Sequence, residues 1–97
     1  MTRLLAVATS DREGKKLVAT FDLGNKGRPR SIHFGAAGMS DYTIHRDPER
    51  KARYLARHQA REDWSDPLTA GALSRWILWN KPTLRASIAD FRRRFDL

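Results

Sequence analysis

The chain contains no cysteine, which excludes disulfide staples, thiolate nucleophiles and zinc sites built on thiolates. It also has no long apolar run. Leu4 to Ala8 is too short for a secretory core or a membrane span, so the sequence predicts a soluble protein that is not secreted and has no membrane partner. With four prolines and six glycines there is no low-complexity tract and no linker. Negative charge is scarce: 11 acidic residues face 19 lysines and arginines, for a net charge of +8. Ninety-seven residues are enough for one modest core, which predicts a single domain over 1–97, β-rich in 1–35 and helical in 47–97.

The excess of positive charge is spread along the chain. Residues 1–46 hold eight basic and four acidic side chains and residues 47–97 hold eleven and seven, so no separate basic tail exists. Most of the positive charge is arginine, whose planar fork matches phosphate better than the lysine ammonium does. This balance points to a polyanionic partner: nucleic acid, an acidic protein or an anionic membrane surface, the last set aside because the last helix would have to withdraw Leu84, Ile88, Phe91 and Phe95 from the core.

Two short runs, Leu4 to Thr9 and Lys16 to Phe21, flank a polar Ser10–Lys15 segment with the composition of a hairpin loop. After a turn-rich stretch over Asp22–Pro29, Arg30 to Phe34 alternates, with Ile32 and Phe34 on one face and Ser31 and His33 on the other. Gly35 and Gly38 bracket a loop that can take positive φ at either end; without a lysine or a following helix start, it reads as a tight turn and not a phosphate loop. Asp47-Pro48-Glu49 supplies an N-cap, a first-turn proline and an acidic residue for a helix to about Arg61, with a thin apolar stripe of Ala52, Leu55 and Ala56. Asp66-Pro67 repeats the signal before Leu68, Ala72, Leu73, Trp76, Ile77 and Trp79, which predicts a core helix containing both tryptophans. Gly71 in that helix is expected to serve close packing. Pro82 breaks the run, and Leu84, Ile88, Phe91 and Phe95 define a last amphipathic helix from Thr83. The expected fold is α+β, a small antiparallel hairpin or three-stranded meander packed against three C-terminal helices.

Arg50, Arg53, Arg57 and Arg61 recur at i, i+3, i+7 and i+11 and fall in one helical sector. A ridge of guanidinium groups suits a phosphate backbone, whose contacts give affinity and register without reading sequence. Arg92, Arg93 and Arg94 form a second candidate patch. Tyr54, between Arg53 and Arg57, is the best candidate to stack on a base; Tyr42 and Trp64 are less committed.

Asp41, His33, His45, His58 and Glu62 are the residues from which a catalytic or metal site could be drawn. Their spacing matches no HExxH, P-loop, HNH or GIY-YIG pattern, and structural roles suit each: Asp41 as a loop-to-helix cap, His45 beside the Asp47 cap. No catalytic residue, metal or cofactor is therefore expected.

Ile32-His33-Phe34-Gly35, Ser40-Asp41-Tyr42-Thr43, Arg53-Tyr54, Arg57-His58, Trp64, Asp66-Pro67-Leu68-Thr69-Ala70-Gly71, Leu78-Trp79-Asn80-Lys81-Pro82-Thr83-Leu84 and Ser87-Ile88 together resemble a family of small uncharacterised proteins of large DNA viruses of algae and amoebae. The likeness runs from Ile32 to the end and leaves the N-terminal hairpin outside. It implies a viral protein, in the virion or in the cytoplasm or nucleus of an infected cell, with other virion proteins as further partners. The sequence thus reads as a non-enzymatic module that binds nucleic acid through phosphates, DNA favoured over RNA, linked to genome packaging or the virion. Two alternatives stay open: an assembly protein docking acidic protein surfaces, and a small metal-dependent nuclease.

Overall fold

The computed structural model describes residues 1–24 and 27–97. β1 (Arg3–Thr9), β2 (Lys15–Asp22) and β3 (Arg30–Ala36) form an antiparallel meander in the order β1-β2-β3. Asn25 and Lys26, within the expected turn before β3, lie outside the described residues. The helical half holds α1 (Tyr42–His45), α2 (Pro48–His58), α3 (Ala70–Leu73) and α4 (Leu84–Phe95). The α+β expectation holds, with one additional helical turn, α1. A radius of gyration of 13.1 Å is that of a compact body of this length.

Period-2 alternation builds the inner sheet face. Leu17, Ala19 and Phe21 of β2 are buried, Leu17 opposite Phe34 and Phe21 opposite Leu4. In β1, Leu4 pairs with Phe21 and Ala6 with Thr20, so Leu5 is an extra, bulged residue. The bulge resets the alternation, letting Val7 join Leu4 against the core while Leu5 stays exposed. On the opposite face, His33 hydrogen-bonds Ser10 Oγ at 2.6 Å and closes the first hairpin loop onto β3.

Near the end of β3, Gly35 has φ of 77°, and a Cβ there would stand 2.8 Å from Leu78 Cδ1 and 3.1 Å from Lys16 Cβ. Only glycine allows the helical layer to approach this end of the sheet. Gly38, at φ of 81°, completes a tight turn closed by Met39 N–H donating to Ala36 O.

α3 departs from expectation. Asp66 Oδ1 accepts only the Leu68 amide and shapes a turn; the N-cap is Thr69, whose Oγ1 accepts the Ala72 amide at 3.2 Å. The helix thus begins at Ala70 and widens into a π turn over Ser74–Leu78, where Trp79 N–H reaches back to Ser74 O. Ala72, Leu73, Ile77 and Leu78 are its buried residues, whereas Trp76 and Trp79 are half-buried and not in the sealed core. Gly71 serves a close approach of a different kind from the one expected, since its Cβ would meet the Glu62 carboxylate at 2.9–3.2 Å.

α4 closes the core with Phe91, which meets Phe21 edge-on at 6.5 Å between centroids and Phe95 at 5.2 Å. Leu84, the first residue of the predicted stripe, is exposed. The corner before α4 is held by polar groups. Asn80 Nδ2 donates to Asp90 Oδ2 at 2.7 Å and to Trp76 O at 3.1 Å, the Lys81 amide donates to Ser87 Oγ, and Thr83 Oγ1 caps α4 through the Ala86 amide. The LWNKPT segment is therefore a structural corner.

Candidate nucleic-acid interface

α2 starts as its sequence dictates. Asp47 Oδ1 accepts the Glu49 and Arg50 amides, Pro48 occupies the first turn, and the Asp47 amide donates to His45 Nδ1 at 3.0 Å. The face that packs inward is not the Ala52–Leu55–Ala56 stripe, because both alanines are exposed. It is Lys51, Tyr54, Leu55 and His58, with Tyr54 buried.

Tyr54 lies parallel to Trp79, with ring centroids 4.2 Å apart and planes 4° apart, and its ring also stacks on His58 at 4.3 Å. Its rings are engaged inside the protein, so the expected base-stacking role is corrected to a structural one. Alanine stubs cannot fill the gap beside the half-buried Trp79, whereas a flat ring covers it. Burial, reinforced by the Glu62 charge, pushes the Tyr54 phenol up to about 12. Lys51 joins the same face, donating to Asn80 O at 2.7 Å. Burial first, then Arg75, draws its pKa down.

With that face turned inward, Arg50, Arg53 and Arg57 are exposed on the outer side. Gln59–Arg61 is a 3₁₀ turn of three residues per turn, so Arg61, also exposed, leaves the 3.6-residue register of the row. Among the described residues none of these four guanidinium groups is in an ion pair with a carboxylate. The row thus presents exposed guanidinium groups along one side of α2.

The second patch is built differently. Arg92 Nη1 donates to Leu4 O at 2.8 Å and ties α4 to β1. Arg93 and Arg94 both bond the buried Asp90 carboxylate, and Arg94 also lies over the Trp76 ring at 3.9 Å. All three thus have partners within the protein, although their side chains remain exposed. Local spacing already held the signal, since Asp90 precedes Arg93 and Arg94 by three and four residues.

The residues weighed for chemistry are partly brought together. Asp41, His58 and Glu62 line one cavity of about 380 Å3 with Lys15, Lys16, Met39 and Arg57, between the β2–β3 end of the sheet, α2 and α3. His33 sits on the outer sheet face, and His45 stands against Trp79 at 5.3 Å. Each cavity carboxylate is already occupied. Asp41 caps α1 through the Thr43 amide and accepts Lys16 Nζ at 2.5 Å; Glu62 accepts Trp64 Nε1 at 2.7 Å and pairs with His58 Nδ1 at 3.3 Å. Among the described residues no three His, Asp or Glu side chains are placed to share a metal ion. Lys15, Lys16 and Met39 were not picked out from the sequence, because nothing local links them to Asp41 or His58. No described helix is long and apolar enough to cross a membrane.

A family model matches residues 5–58, more than half of the chain. The chain thus belongs to a family of unknown function, DUF5754. The matched segment runs from β1 to the end of α2, so it includes the N-terminal hairpin that the sequence likeness left outside, together with Arg50, Arg53 and Arg57, and stops short of the LWNKPTL block. No curated protein and no solved structure matches the chain.

Proposed function

We propose that the protein is a non-enzymatic nucleic-acid-binding module that grips the phosphate backbone along the outer face of α2. The carrying observation is the contrast between two arginine groups. Arg92, Arg93 and Arg94 are held by a carbonyl, a buried carboxylate and an indole ring, whereas Arg50, Arg53 and Arg57 stand exposed with no acidic partner among the described residues. Such a row repels itself until an anion lies along it, and guanidinium forks favour phosphate oxygens. We read the setting as viral, with a place in genome packaging or the virion; the likeness of the DYT and LWNKPTL blocks to proteins of large DNA viruses supports that setting. DNA is the favoured partner in it.

Fluorescence anisotropy of a labelled oligonucleotide over a salt series tests the reading. Engagement of three or four phosphates predicts that log K falls with log salt at a slope near about −3. No binding of DNA or RNA at about 50 mM salt would overturn it. A partner that is an acidic protein surface would produce that negative result.

A further inference from the structure

We propose that the cavity beside α2 receives one unpaired nucleotide of the bound strand, with its phosphate at Lys15 and Arg57 and its base against the apolar wall formed by Ala36, Met39 and Leu78. The proposal rests on the nucleic-acid reading of the Arg row and adds a preference for single strands to it. Arg57 carries the connection, because it is a member of the row on α2 and also lines the cavity. A backbone that follows Arg50 and Arg53 reaches the cavity mouth at Arg57.

The cavity has the size and the division of chemistry that a nucleotide needs. Its volume of about 380 Å3 lies in the range of small-molecule sites, about 300–1,000 Å3. Its two carboxylates are consumed within the protein, Asp41 by Lys16 and Thr43, Glu62 by Trp64 and His58. Lys15 and Arg57 are left as cations with no ion pair among the described residues, so an entering ligand meets net positive charge. Met39 is 65% exposed at the same site, a flexible apolar side chain that the core does not use. His58 also lines the cavity, its ring held by Glu62 at Nδ1 and by the Tyr54 stack. A paired base cannot enter such a cavity without leaving its duplex, so unpaired nucleotides are selected.

The test uses the full chain with adenosine 5′-monophosphate, inorganic phosphate, and a single strand and a duplex of equal length, followed by calorimetry and by amide shifts. Adenosine monophosphate should move the amides of Lys15, Lys16, Gly35 to Met39 and His58, and bind at least about tenfold more tightly than inorganic phosphate. Ala36→Phe fills the cavity from an exposed strand end without changing charge. It should weaken the mononucleotide and the single strand by on the order of tenfold and leave the duplex unaffected. Lys15→Ala, which leaves the apolar wall alone, should weaken the mononucleotide as well. Equal affinity for phosphate and mononucleotide, or duplex binding intact with no mononucleotide response, would overturn the cavity proposal alone. Loss of all nucleic-acid binding by the unaltered protein would instead overturn the reading on which it rests.

Discussion

Replacing Arg53 and Arg57 together by glutamate is expected to weaken nucleic-acid binding by about a hundredfold near 100 mM salt and to make the salt slope shallower by about two. Each reversal removes one phosphate contact and places a like charge against the backbone. The fold should survive, because both side chains are exposed and the packing face of α2 is carried by Lys51, Tyr54, Leu55 and His58. Glutamate spacing along the helix and at its C-terminal turn costs about 1 kcal/mol or less. Arg3→Glu with Arg12→Glu makes the same change in net charge on β1 and its hairpin loop. That control should lose several-fold less affinity in the same anisotropy assay. Equal losses from the two variants would mean that diffuse charge, and not the row, holds the ligand.

Asp90→Ala should lower stability by about 2–3 kcal/mol and the melting temperature by on the order of 10 °C. The carboxylate is 4% exposed and joins the α3–α4 corner to α4: it accepts from Asn80, anchors Arg93 and meets Arg94. The Asn80 hydrogen bond, then Arg93 and Arg94, hold its carboxyl below the ordinary carboxylate range. A folded-state pKa below the unfolded value gives stability that is complete above the unfolded value, near pH 4, and is lost as pH falls through the folded value. Wild-type protein should therefore lose this contribution only in acid. The Asp90→Asn curve should start lower at neutral pH, run flatter below about pH 4 and converge with wild type there. Asp63, lowered chiefly by its hydrogen bonds to Ser65, acts in the same direction at the surface. Parallel acid limbs in chemical denaturation would remove Asp90 from this role.

The two predictions draw on different layers of information in the chain. The strands, the Asp47-Pro48 helix start and the Ile88–Phe91–Phe95 stripe follow from period and capping, because each signal lies within one turn or one strand of the residues it governs. The Leu5 bulge was not legible, since an apolar run of five residues fits either alternation. Asp66-Pro67 misled because an aspartate before proline satisfies a turn as well as a cap, and Thr69 took the cap instead. Tyr54 shows the limit most clearly. Its neighbours on α2 are arginines, which suggests a surface ring, but its partner Trp79 stands 25 residues away and only the packed layers bring the two to 4.2 Å. The cavity draws Lys15, Asp41 and the Arg57–Glu62 segment from three separate stretches of chain, so no local spacing rule could assemble it.

Nuclear magnetic resonance mapping of a short oligonucleotide onto the protein, by amide and arginine side-chain shifts at low salt, tests the placement of the interface most directly. The largest changes are predicted at Arg50, Arg53 and Arg57, continuing to Lys15 and the Gly35–Met39 turn, while Arg92, Arg93 and Arg94 stay still. Changes centred on α4, or scattered evenly over the basic surface, would contradict an interface on α2.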